Sequence, residues 1–500
     1  MANKILYFHS SIWHDYFRNL LTYYQKKKNY EVGILCGENL RNVYSENFES
    51  GADHFPIPDF KNTMEWENNS AVHEKLKELV DECETLSATS TNRIILSGER
   101  EIGRAYSIKS YYWKSTTLQK YCMENNQRSM LVILRMFKFL NDVYDRFQPT
   151  LILARLSNPP LNFVGYLLSK KFNIPFLSCR FSKILDKRFY WTGDMCMYNG
   201  LVKIAFNNKY KRDEKSSSFA NEFLISYRES PKTIHYIQEN WKRGDLSTWA
   251  QQHLKILSLS IGSLIYILKG SKGPPPKSGL QKFIEYYRIK WAESRHNRFY
   301  SKFTENELKD LKYIYYPLHK EPELNLNFHS PLWHDQKHTV SYISCMLPSG
   351  YKFLVREHRY NWGRRYTEFL KLLTQLPNVV LIDPFDPQFK YIQNANLIIT
   401  GNGSSGWEGL LLNRPVITFE KTFYEVSGLN CRITNPSILD KEILKILKEP
   451  LPYSKEESER RIGLLVDAEY ETTLSEDEKE SDPGVSAQYI ERLLDIDRQP

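Results

Sequence analysis

Residues Leu397–Leu411 read LIITGNGSSGWEGLL. The first four are a continuous apolar run closed by glycine, the pattern of a short buried strand. A helix is expected from near Ser405 to about residue 412, where Arg414-Pro415 ends it. Between them lies Gly401-Asn402-Gly403-Ser404-Ser405-Gly406. Glycines let a backbone approach a ligand closely, and the free N–H groups of a helix start favour an anion. Ser404 and Ser405 add hydroxyls, and either can cap the helix. The stretch therefore predicts a strand, a phosphate-sized anion held at Gly403–Gly406, and a helix, with a capped turn lacking any ligand as the alternative.

Working outward, similar units repeat. Tyr313–Pro317, Lys352–Arg356, Val379–Ile382 and Val416–Phe419 read as strands, with helices near 335–346, 365–375 and 386–393. The same alternation fills the first 200 residues. Strands are expected at Lys4–Phe8, Glu31–Cys36, Arg93–Ser97, Thr150–Ala154 and Pro175–Cys179. Helices are expected at Ser11–Tyr24, 70–86, 127–147 and 161–171. Short apolar runs separated by helix-length segments indicate parallel sheets covered on both faces. From 200 to 304 strand patterns vanish. The fold class is thus α/β, two Rossmann-like domains (residues 1–199 and 305–450) with a helical insert at 200–304, followed by an acidic helical or partly disordered tail at 451–500.

Composition fits that division. The 500 residues carry 68 Lys+Arg and 59 Asp+Glu, a net of +9, and 14% aromatic side chains, enough for sizeable cores and against a disordered chain. Residues 200–304 hold 19 basic and 8 acidic side chains, a net of +11, whereas 455–482 hold 4 basic and 11 acidic. A basic middle attracts anionic lipid or nucleic acid, or is a solvated helical face. Ile256–Leu268 (ILSLSIGSLIYIL) is too short to span a bilayer as a helix and reads as a buried helix or an interfacial segment. Seven cysteines without a C-x-x-C pair, and no secretory leader at Met1–Ser10, point to a reducing cytoplasm.

In open α/β sheets ligands gather outside the carboxyl ends of strands. Arg356 and His358 lie there, suited to clamp a phosphate and to donate to it or protonate a leaving group. His319 and Glu323, in Pro317-Leu318-His319-Lys320-Glu321-Pro322-Glu323, follow the first strand of the same domain. Glu408, in the first turn of the helix, can accept from a ribose or complement the helix dipole. Literally, Gly401–Gly406 is G-x-G-x-x-G with Glu420 nineteen residues on. A nicotinamide enzyme is disfavoured all the same, because the motif sits in the fourth βα unit, its helix is short, and little α/β chain follows. His334 and His338 lack a third metal ligand at a persuasive spacing, and no metal site is expected. Asp383 and Asp386 bracket a turn and are read as its caps.

Two Rossmann-like domains with an anion turn in the second suggest the GT-B glycosyltransferase architecture. The runs PLHKEPE, FLVREHRYN and ITGNGSSGWEGLLLNRPVITF, with Phe423-Tyr424, resemble bacterial capsule and surface-polysaccharide biosynthesis proteins over about residues 312–430. Arg180–Thr192 (RFSKILDKRFYWT) is similar to that family's first domain. The resemblance implies a nucleotide-sugar substrate, a CMP-sugar being favoured, and no separate cofactor. It implies donor-binding roles for His358, Ser404 and Ser405. It places an acidic general base in the first domain, for which Glu99 and Glu101 of Glu99-Arg100-Glu101-Ile102-Gly103 are the local match. The chain departs from the family where Arg359-Tyr360 stand in place of a proline and Asn413-Arg414 in place of Gly-Lys, so UDP and GDP donors stay open. Implied partners are a glycan or lipid-linked acceptor and an anionic membrane met peripherally from the cytoplasm, without nucleic acid. A teichoic-acid-type CDP-alcohol phosphotransferase, a nucleotide-sugar epimerase and a non-catalytic assembly or export partner are the alternatives.

Overall fold

The apolar runs pair into two separate parallel-dominated sheets in the computed structural model of the chain. It describes residues 3–9, 14–37, 51–58, 60, 70–93, 126–155, 160–193, 198–231, 254, 257–258, 261, 279–321, 326, 329–330, 332–449, 451–476 and 482–497. Two compact units result, one formed by 1–103, 121–221 and 463–500, the other mainly by 222–462.

The first unit carries strands β1 (Lys4–Phe8), β2 (Glu31–Cys36), β3 (Asp53–Pro56), β4 (Leu151–Ala154), β5 (Phe176–Phe181) and β6 (Arg188–Thr192). Its helices are α1 (His14–Lys28), α2 (Ser70–Ser87), α3 (Asn126–Phe147), α4 (Pro160–Lys171) and α5 (Gly200–Lys211), and α6 (Ser218–Glu229) leads out of it. β1 pairs in parallel with both β2 and β4, Ile5 lying opposite Val32 and Leu151. α1 buries Phe17, Leu20, Leu21 and Tyr24 on the sheet, the i, i+3, i+4, i+7 stripe of an amphipathic helix.

The second unit contributes α7 (Gly279–His296), α8 (Glu305–Asp310), β7 (Tyr313–Pro317), α9 (Gln336–Met346), β8 (Lys352–Arg356), α10 (Thr367–Thr374), β9 (Val379–Ile382) and α11 (Gln388–Gln393). β10 (Leu397–Thr400), α12 (Ser404–Leu411), β11 (Val416–Thr418), β12 (Cys431–Arg432) and α13 (Leu439–Lys448) follow, and α14 (Lys455–Glu471) passes into the first unit at residue 463. Its sheet runs β12-β11-β10-β7-β8-β9, and every pairing is parallel. Numbered within the unit this is the 3-2-1-4-5-6 order, whose direction reverses between β7 and β10 and opens a crevice at their carboxyl ends.

From residue 463 the chain's end belongs to the first unit. After α14 come β13 (Leu474–Ser475), antiparallel to β6, and α15 (Pro483–Asp497). Ala487, Ile490 and Leu493 of α15 are part of the first unit's core, apolar spacing that the acidic count of the segment concealed. The boundaries of the insert shift as well. Leu201 of α5 joins the first core, so 200–221 belongs to the first unit and 222–304 to the second. Arg93 ends a helical turn, and the rest of the strand expected at Arg93–Ser97 lies outside the described residues. Most of Ile256–Leu268 lies outside them too. Among the described residues, no helix is long and apolar enough to cross a membrane.

Candidate functional site

β7 and β10 end on the same side of the switch point, and their loops meet. The His319 ring, two residues past β7, lies with Nε2 3.0 Å from where a side-chain carbon on Gly401 would sit. Its Cε1 is 3.6 Å from the corresponding position on Gly403. None of Gly401, Gly403, Gly406 and Gly409 has positive φ, so close approach rather than backbone conformation calls for these residues. A methyl on Gly406 would overlap the Tyr424 hydroxyl, and one on Gly409 would overlap Ile398. The glycines thus admit protein neighbours, and they let α12 lie directly on β10.

Gly403, not Ser404 or Ser405, is the N-cap of α12, and it offers no side-chain hydrogen bond. Its own N–H donates to Thr400 Oγ1 at 3.2 Å, and its carbonyl accepts from the Tyr424 hydroxyl at 3.3 Å. The turn is held from outside, and the first-turn N–H groups receive no cap from their own N-cap residue. That is the helix end at which an anion is most stabilised. Ser404 is half-buried there and Ser405 is buried. Asn402 is buried beside them, and its Oδ1 has no hydrogen-bond partner.

His358, two residues past β8, caps a short helical turn. Its Nδ1 accepts the Tyr360 N–H at 3.2 Å, which leaves the ring proton on Nε2. Burial, reinforced by Lys320 and Arg356, lowers its pKa to about 3. The imidazole is therefore neutral at physiological pH, fit to donate a hydrogen bond but not to arrive already charged as an acid. Arg356 is also engaged differently from a phosphate clamp. Its Nη2 donates to the carbonyls of Pro384 and Asp386 at 2.6 and 3.1 Å, and its Nη1 donates to Gln388 Oε1 at 3.4 Å. It ties β8 to the loop after β9, where Asp383 Oδ1 accepts the Phe385 N–H at 2.8 Å as a turn cap does.

Glu408 faces inward from α12. Gln388 Nε2 donates to its carboxylate at 3.1 Å, and burial raises its pKa to about 7 although the Arg356 charge pulls the other way. It can accept from a hydroxylated ligand while ionised and donate to one while protonated.

Beneath both histidines lies a buried network that no local motif announces. Arg365, fully buried, forms an ion pair with Glu321 and donates through Nε to Glu357 at 2.9 Å. Burial works against its charge, but Glu357 and Glu321 outweigh it and hold the guanidinium protonated. Glu357 Oε1 accepts the His358 N–H at 2.7 Å. Gln336 and Asn361 grip the other loop, accepting the backbone N–H groups of His319 and Glu321 at 2.6 and 3.2 Å. One arginine thereby fixes the two loops that carry His319 and His358.

Glu99, Glu101 and Glu323 lie outside the described residues. Among the described residues, no group of three or more His, Cys, Asp or Glu is placed to hold a metal.

No protein-family model matches the chain, and no curated protein matches it. Among solved structures, one similar to it is the glycotransferase of kitacinnamycin, at 11% identity over 98% of this chain and 99% of that one, with a TM-score of 0.26. The KpsC beta Kdo 2,7 transferase of Thermosulfurimonas dismutans is similar at 12% identity over 72% and 95% of the two chains, TM-score 0.33. A UDP-GlcNAc 2-epimerase from Neisseria meningitidis, bound to UDP-GlcNAc, follows at 13% identity, 94% and 99% coverage and a TM-score of 0.24. At such identities and scores the likeness says nothing of substrate.

Proposed function

We propose that the chain is a glycosyltransferase of the GT-B kind. It moves a sugar from a nucleotide-sugar donor to a glycan or lipid-linked acceptor in surface-polysaccharide biosynthesis. The observation that carries this reading is the position of the Gly401–Gly406 turn. It stands at the switch point of a 3-2-1-4-5-6 sheet, against His319, with the start of α12 uncapped by its own N-cap residue.

In this reading the donor phosphates meet the first turn of α12 and the Ser404 and Ser405 hydroxyls. Neutral His358 donates from Nε2 to a phosphate oxygen. That hydrogen bond strengthens as negative charge builds on the departing nucleotide, so the residue works by electrostatic stabilisation. Arg356 adds positive potential while anchored by carbonyls, and Glu408 accepts from the ribose. CMP-sugars are the favoured donors on the resemblance of the REH and GSSGWE runs. Glu101 or Glu99 supplies the acceptor-side base on the same ground. The donor enters as a substrate, with no metal or separate cofactor. The protein works in the cytoplasm, peripherally at the inner face of the cell membrane.

The test is incubation with CMP-, UDP- and GDP-sugars and a lipid-linked acceptor, following free nucleotide and labelled sugar separately. Acceptor-dependent nucleotide release, with label in the acceptor, is expected. Epimerised nucleotide-sugar without acceptor dependence would refute transfer, as would no turnover of any donor.

A further inference from the structure

α7 has two unlike faces. Its inner face is fixed on the loop after β8. A side-chain carbon on Gly363 would fall 2.6 Å from Glu293 Cγ and 2.9 Å from the Ile289 carbonyl oxygen. Lys290 Nζ lies 5.9 Å from the centre of the Trp362 ring, and His296 Nε2 lies 3.3 Å from Thr367 Oγ1. Over residues 287–295 the side chains on the opposite side of the helix are exposed.

The outer face is aromatic and cationic. Trp291 is 64% exposed and Tyr287 43% exposed, one helical turn apart. Arg288, Arg295 and Arg298 are exposed on the same stretch, and the Arg295 guanidinium lies 4.4 Å from the centre of the Trp291 ring. Between Tyr287 and Arg298 the one acidic residue is Glu293, whose side chain is 13% exposed and paired with Lys290 at 2.7 Å. Two aromatic rings exposed one turn apart among arginines form the kind of patch that marks an interaction site.

We propose that this face of α7 seats the protein on an anionic lipid bilayer, with Trp291 and Tyr287 at headgroup depth and the arginines on lipid phosphates. Amphipathic rings flanked by arginine match the chemistry of the membrane interface, where one end of the side chain is apolar and the other wet. A single-stranded nucleic acid or an acidic glycan would also engage the rings and the arginines together. A second feature of the 200–304 segment separates these partners. Leu254, Leu257 and Ile261, each in helical conformation, are 66%, 58% and 52% exposed. Exposed aliphatic side chains have no use for a polyanion, but they insert among acyl chains. The inference names the surface behind the membrane contact of the reading above, and it does not depend on the nucleotide.

The full chain would be floated with vesicles of phosphatidylcholine, alone or with roughly 30% phosphatidylglycerol, at about 0.1 and 0.5 M salt. Binding is expected to the anionic vesicles only, weakened by salt. It should fall about tenfold in Trp291→Ser/Tyr287→Ser and again in Arg295→Ser/Arg298→Ser. Because both pairs lie on the solvent face, nucleotide-induced thermal stabilisation should persist in them and serves as the folding control. Absence of vesicle binding, equal binding to neutral vesicles, or wild-type binding by both variants would overturn the proposal. So would loss of oligonucleotide binding in the variants while vesicle binding stays intact. If wild type binds vesicles but no nucleotide stabilises it, the lipid face stands and the transferase reading falls.

Discussion

The two sheets reverse direction in the same way, β1 against β4 in the first unit and β7 against β10 in the second, yet they bury their charges in different places. The second unit gathers Glu321, Arg356, Glu357, Arg365 and Glu408 around the carboxyl ends of its strands. In the first unit the buried carboxylates among the described residues are Asp467 and Glu469, both on α14 of the returning chain end. Ser182 donates to Glu469 at 2.5 Å while accepting the N–H groups of Ile184 and Leu185. Arg188 donates nearby to the carbonyls of Tyr470 and Thr473 at 2.9 and 2.6 Å. Buried polarity at strand ends fixes loops that can meet a ligand. At a margin it locks a returning chain end in place.

The sharpest way to break this comparison is to remove the cation beneath the histidines. Arg365→Met leaves Glu321 and Glu357 buried without their counter-charge and should cost about 3–5 kcal/mol. Urea unfolding measures it, and a loss below about 1 kcal/mol would mean that the network is not holding the loops.

The margin network predicts a pH dependence. Burial raises the Glu469 pKa to about 7, above its ordinary value. The folded protein then holds a proton that the unfolded chain releases, so this contribution is full below the ordinary carboxylate range and is lost as pH rises through about 7. Between about pH 5 and pH 8 wild type should lose on the order of 3 kcal/mol relative to Glu469→Gln, as read by parallel melts. Curves for the two proteins that stay parallel across that range would show that the carboxyl does not titrate there.

Packing at the glycine turn is tested by Gly409→Ala, which should destabilise by about 1–3 kcal/mol because the methyl overlaps Ile398. Adding Ile398→Val removes the overlapping carbon and should recover most of the loss. A double-mutant cycle without coupling would contradict the close approach of α12 to β10.

How much of this was legible depended on the range of the interaction. Tyr313–Pro317, Lys352–Arg356, Val379–Ile382 and Leu397–Thr400 match their strands residue for residue, since each is a buried apolar run with punctuation on both sides. Edge strands escaped. β3 (DHFP) buries only Phe55, and β13 is two residues long, so neither shows a period. In the site, the glycine turn and both histidines could be placed at strand ends because local pattern fixes where a strand stops. The engagement of Arg356 could not, because it depends on Pro384, Asp386 and Gln388 beyond another strand. Arg365 was invisible for the same reason, its partner Glu321 lying forty-four residues away. The acidic composition of the last fifty residues hid the apolar face of α15, since a charge count carries no phase.

The central claim, that the β7/β10 switch point holds a nucleotide, is tested most directly by calorimetric titration of the intact chain with CMP, CDP, UDP and GDP. Wild type should bind at least one of them. His358→Ala and Ser404→Ala should each weaken that affinity about tenfold, some 1.4 kcal/mol, with the melting temperature held. Nucleotide binding of wild-type strength in both variants, or no binding to wild type, would contradict it.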